Sequence, residues 1–236
     1  MNSQQETTLA NETKLSFEIV HDQSPVNPFT EWDSEPGLMY ETGRHGQKTD
    51  FSKGEILEAI QQAATDGKII QHQKKISEIL EVDLSYYQDE TKEHKIDAIR
   101  DDINGANIEE LGKLCELFKL PYKQYLSRGY SQGDCAEVLI VLTPEFYKTT
   151  GAPKIHDQKI LEEASKLFDS YAWGDVYGFR IYKETTCECC NETKKDEIDS
   201  CYGFFGDDFE ENGMTDYFPE ELREELKNFD RSDIKY

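Results

Sequence analysis

Cys187, Cys190 and Cys201 stand as a C-x2-C pair followed, after ten further residues, by a third cysteine, with Cys189 between the first two. Thiolates at this spacing are ligands for structural zinc, which takes four donors tetrahedrally and two of them from one C-x2-C turn. A second pair is missing. The fourth ligand would have to be Cys189, a distant histidine such as His156, or a carboxylate. The bland alternative is a set of reduced thiols on a hairpin between two strands. No cofactor is expected, with zinc the possible exception.

Other residue groups have less specific chemistry. The run Gly129-Tyr130-Ser131-Gln132-Gly133-Asp134 would cradle an anion or seat a catalytic acid, but it lacks the phosphate-binding G-x-x-x-x-G-K-S/T pattern and is more often a tight turn. Asp134, Asp175 and Asp199 sit beside Gly or Ser at expected strand ends and would hold Mg²⁺ only if they converged. The histidines His21, His45, His72, His94 and His156 fall in no nucleophile-base pattern. No catalytic residue is assigned, and the sequence leans away from an enzyme.

The acidic C-terminal segment carries a sharper signal. Residues 201–236 hold 11 Asp and Glu against 4 Lys and Arg, within a chain whose formal net charge is -23 over 236 residues. Asp207, Asp208, Glu210, Glu211, Asp216, Glu220, Glu221, Glu224 and Glu225 include four acidic doublets. On a helix Glu220 stands above Glu224 and Glu221 above Glu225, each pair about 6 Å apart along the axis. Two phosphate steps of one duplex strand advance by about 7 Å. Like charges at i,i+4 cost a few tenths of a kcal/mol per pair, so a helix that carries them is a candidate phosphate mimic. Acids in a first helical turn are also favoured by the helix dipole, which is the ordinary explanation.

The elements that must position these residues are read from periodicity. Residues 1–13 are polar and read as a flexible N-terminus, and Leu15 to Val20 alternates as a strand. Asp22 to Gly46 contains Pro25, Pro28 and Pro36 and reads as an ordered loop, with Phe29 and Trp32 as exposed aromatics. Ser52 then caps an expected helix with Ile56, Leu57, Ile60, Ala63 and Ala64 on one face, stopped by Gly67. Ile76 to Leu80 and Ile96 to Ile103 read as further helical pieces, and Asn107 caps a helix that ends before Pro121.

Beyond Pro121 the period changes. Ala136 to Leu142 reads as a buried strand, Asp157 starts an amphipathic helix, Val176 to Tyr182 and Glu197 to Phe205 read as strands, and Pro219 to Phe229 as a short acidic helix. The fold class is α+β: a small antiparallel or mixed sheet with a helical insert and a short acidic C-terminal helix. The expected divisions are 1–13, a strand and ordered loop at 14–51, the helical insert at 52–120, and an α+β core with the acidic segment at 121–236.

Four stretches resemble a group of uncharacterised accessory proteins carried by phages, prophages and plasmids. They are Asp22 to Pro28 leading to Trp32-Asp33 and Met39, then Ser127 to Asp134, Gly174 to Phe179, and Asp199 to Asp208. Their order and span cover most of the chain, with 52–120 least alike. Tyr202 stands where the group has Trp, and His45 is displaced. The resemblance implies a mobile-element setting, in which small acidic proteins often inhibit host defence.

Net charge and resemblance together give the functional expectation. It is an acidic binding protein, cytoplasmic in a host cell, that inhibits a basic nucleic-acid-binding defence protein such as a restriction or CRISPR effector by DNA mimicry. A surface of this sign repels nucleic acid and anionic lipid, so direct binding to either is not expected. No apolar run is long enough to span a membrane. The rival expectation is a zinc-stabilised protein-binding scaffold, and the third a small enzyme acting on a nucleotide or metabolite. Oligomeric state is open.

Overall fold

Hydrophobic spacing and capping account for most of the elements in the computed structural model, which describes residues 12–32, 34–42, 48–49, 53–83, 91–130, 134–187, 190 and 192–235. Along the chain run β1 (Glu12–His21), α1 (Pro28–Glu31), β2 (Gly37–Thr42), β3 (Lys48–Thr49), α2 (Lys53–Ala63), α3 (Asp66–Leu80), α4 (Lys92–Gly105) and α5 (Ile108–Phe118). Then follow β4 (Tyr122–Tyr130), β5 (Asp134–Val141), α6 (Pro144–Thr150), α7 (Asp157–Trp173), β6 (Val176–Thr186), β7 (Thr193–Phe205) and α8 (Glu220–Lys227). The protein is α+β, and it divides into two compact units, one of 27–173 and one joining 1–26 to 174–236. This division differs from the boundaries expected at 14–51 and 121–236. Long-range pairing of the N-terminal strand with residues 176–186 decides it, and no local pattern carries that information.

The larger unit is built on a four-stranded sheet in the order β3-β2-β5-β4, antiparallel throughout. Its central strand β5 is apolar from Val138 to Val141, where both faces are covered. Met39, Leu139 and Val141 face a core shared with α2 to α5, while Leu38, Tyr40, Val138 and Ile140 face one shared with α6 and α7. The clearest local signal in this unit is the capping box of α5. Asn107 Oδ1 accepts the Glu110 N–H at 3.0 Å, and Glu110 Oε2 accepts the Asn107 N–H at 2.7 Å.

Three local expectations change here. The Asp22 to Gly46 segment contains α1, with Pro28 fixing its first turn, and then the buried strand β2, so it is not a loop throughout. Phe29 is buried, whereas Trp32 is 41% exposed. Gly67 does not stop α2. It lies in the first turn of α3, after Thr65 at the N-cap. Ser52 lies outside the described residues.

The smaller unit is a three-stranded antiparallel sheet in the order β1-β6-β7, separate from the first, where one small sheet was expected. Ile19 pairs with Phe179, and Phe179 with Cys201. Alternation sends Leu15, Phe17, Ile19, Tyr177, Phe179 and Ile181 to one face. There they meet Phe209, Met214, Phe218, Leu222 and Leu226 of the C-terminal segment. The Phe179 and Phe218 rings meet edge to face with centroids 4.8 Å apart, and Phe17 meets Phe218 at 5.1 Å. No helix among the described residues is long and apolar enough to cross a membrane.

Candidate functional site

The acidic segment is held by its apolar residues, and this fixes which way its charges point. After Gly206, which takes φ 87°, Asp208 Oδ1 accepts the backbone N–H groups of Glu210 and Glu211 at 3.0 and 2.9 Å. Those two bonds hold the Asp208 carboxyl below the usual carboxylate range. Asn212 donates from its amide to the Gly206 carbonyl at 2.8 Å and accepts the Met214 N–H at 3.0 Å. The resulting tight turn drives Phe209, Met214 and Phe218 into the core.

α8 completes the face. Leu222 and Leu226, one turn apart, are buried, so Glu220, Glu221, Glu224 and Glu225 are all exposed. Arg223 Nε donates back to the Phe218 carbonyl at 2.9 Å and anchors the first turn.

The nine acids are not equivalent. Asp207 is paired with Arg231, and Asp208 is engaged by the turn. Glu224 accepts a weak bond from Asn228 Nδ2 at 3.4 Å. Glu210, Asp216, Glu220, Glu221 and Glu225 are exposed and make no ion pair among the described residues. The structure thus places Glu220, Glu221, Glu224 and Glu225 together on one helix, while Asp207 and Asp208 hold the turn.

The cysteines are not brought together. Cys187 lies just past β6, where its N–H donates to the Glu192 carbonyl at 2.9 Å, and Cys190 lies in the same β6–β7 connection. Cys201 is opposite Phe179, eight residues back along β6, about 25 Å away at the rise of an extended strand. Three sulfurs so placed cannot share a zinc ion, whose bonds to sulfur are about 2.3 Å. Sequence spacing misled because residues 193–200, ahead of Cys201, are strand, which carries the third thiol away instead of folding it back. Cys189 lies outside the described residues. No group of three or more His, Cys, Asp or Glu among the described residues is arranged to hold a metal ion.

Asp175 and Asp199 are likewise apart, since Asp199 pairs with Ile181, six residues along β6 from Asp175. Residues 131–133 lie outside the described structure, and Tyr130 pairs with Asp134 at the end of the β4–β5 hairpin. Cys115 on α5 is buried, and burial pushes its thiol up to about 12. Iodoacetamide at neutral pH should therefore modify the exposed Cys135 and Cys190 and spare Cys115 in the folded protein. Peptide mapping by mass spectrometry checks this, and equal labelling of Cys115 would contradict the packing of α5.

Two polar arrangements were not anticipated. On the sheet face opposite the smaller unit's core, Arg180 Nε donates to Tyr202 Oη at 2.9 Å and Tyr182 Oη donates to Glu18 Oε2 at 3.2 Å. Tyr202 lies over Gly178, where an added Cβ would stand 2.3 Å from its ring and 2.8 Å from the Cys201 carbonyl. In the larger unit, Ser127 Oγ and Tyr125 Oη both donate to Asp169 Oδ1, at 2.7 and 3.2 Å. Burial and the Asp169 charge raise the Tyr125 phenol, so it stays protonated and donates. Only the alternation of residues 176–182 hinted at the first arrangement. The second joins β4 to a helix about 40 residues on, which local pattern does not register.

Compared with protein-family models, with curated proteins and with solved structures, the chain matches none.

Proposed function

We propose that this protein is an acidic inhibitor of a mobile element, working by binding a basic nucleic-acid-binding protein of the host, such as a restriction or CRISPR effector, in place of DNA. The observation that carries the reading is the outer face of α8. Glu220, Glu221 and Glu225 stand exposed and unneutralised there, while Leu222 and Leu226 fix the helix against the sheet. An acid already paired within its own chain offers little to a partner, and these three make no ion pair among the described residues. Rigid presentation also lowers the ordering cost of binding.

The charge distribution supports the same reading. The unit of 1–26 and 174–236 has 22 acids against 9 bases, although it holds well under half of the residues. Such a surface steers a basic cleft toward itself and raises association rates at low salt. The zinc-scaffold alternative loses its supporting observation with the separation of Cys201 from Cys187 and Cys190.

The test has two arms. The purified chain should give no gel shift with duplex DNA at physiological salt, because the phosphate contribution to binding is repulsive. Immobilised, it should retain nucleic-acid-binding proteins from a host lysate at low salt and release them as salt rises. Micromolar DNA binding by the chain alone, or retention insensitive to salt, would overturn the proposal.

A further inference from the structure

The larger unit contains a cleft of about 460 Å³, within the range of small-ligand sites. Phe29, Trp32, Glu35, Glu55, Glu145 and Phe146 line it, together with three threonines, Thr30, Thr143 and Thr149, and Pro36. Among the described lining residues are three aromatic rings and three carboxylates and no Lys or Arg. Glu145 is engaged by Lys148 at 3.0 Å, and the Thr143 hydroxyl accepts the Phe146 N–H at 3.1 Å, so these two groups serve α6.

Glu35 and Glu55 differ from them. Neither has a hydrogen-bond donor or ion-pair partner among the described residues. Glu35 is half-buried, and burial pushes its carboxyl above the usual range. A carboxylate removed from water without a donor is held at a cost, which an incoming cation with N–H groups offsets. Trp32 exposes 41% of its surface beside them and offers an aromatic face.

The geometry points to a binding site for an arginine side chain of a polypeptide: its guanidinium bonded by Glu35 and Glu55, its plane stacked on Trp32, and its methylenes against Phe29 and Phe146. Arginine fits better than lysine because the planar fork bonds carboxylates in pairs and stacks on an indole, whereas an ammonium is a compact and strongly hydrated point charge. The cleft and the acidic helix lie in different units, and so do variants of the two.

The experiment titrates N-acetyl-argininamide into the full-length ¹⁵N-labelled protein and follows the Trp32 indole N–H, assigned with Trp173→Phe. The arginine amide should give saturable shifts, and N-acetyl-norleucinamide none. N-acetyl-lysinamide should bind at least several-fold more weakly. Glu35→Gln and Glu55→Gln should each weaken arginine binding about tenfold, with Glu81→Gln, an exposed acid elsewhere in the same unit, as the unchanged control. If Glu35→Gln does not fold, the exposed Glu55→Gln carries the test. Absence of saturation, equal binding of the lysine or norleucine amide, or unchanged affinity in the Gln variants would overturn the site.

Discussion

Replacing Glu220, Glu221, Glu224 and Glu225 together with Gln should weaken binding to the basic partner by about fivefold or more while leaving the fold intact. Exposed ion pairs are worth about 0.2–1 kcal/mol each, so four lost contacts remove about 1–4 kcal/mol, and each 1.4 kcal/mol is a factor of ten. The salt dependence should flatten as well, because fewer steering contacts remain.

Stability should move little. Relief of the i,i+4 repulsions within the two pairs opposes the loss of favourable acids in the first turn of α8. Leu222 and Leu226, which hold the helix, are untouched. Titration calorimetry at two salt concentrations and a thermal melt are the readouts. Unchanged affinity and salt slope would reduce the helix to a solvated surface.

Phe179→Ala should have the largest effect on stability. The ring is fully buried and touches Phe204, Tyr217 and Phe218. Truncating such a side chain costs about 3–5 kcal/mol in transfer and cavity terms. Since the acidic segment is clamped to the sheet through this cluster, partner binding should fall with the stability of the smaller unit. Urea unfolding followed by far-UV circular dichroism checks it. A loss below about 1 kcal/mol would mean that the residues around Phe179 do not form the core described.

The sequence was legible where one short-range rule acts alone. Asn107 announced the start of α5, the run at 136–142, apolar apart from Glu137, announced a buried strand, and residues 219–229 announced a short acidic helix. It was misleading where partners are distant. β4 was hidden because Tyr122 to Ser127 mixes Lys and Gln with Tyr, and these polar residues are satisfied only by α7 and β5, as in Lys123 to Glu162 at 2.5 Å and Gln124 to Glu137 at 2.7 Å. β2 was hidden by the prolines before it.

The site divides in the same way. The direction of the α8 glutamates followed from helical spacing. The fate of Asp207 depended on Arg231, 24 residues on, and the separation of the cysteines depended on the register of β6 with β7. The Glu35 cleft assembles α1, the residues after it, the start of α2 and α6, and no spacing within one segment could reveal it.

The central claim is that a partner binds this protein through the surface it otherwise presents to nucleic acid. Displacement measures that directly: a partner retained on the immobilised chain at low salt is challenged with increasing duplex DNA at constant ionic strength. The account predicts stoichiometric release by DNA, and earlier release from the quadruple Gln variant than from the natural protein. Retention that duplex DNA leaves unchanged would contradict it.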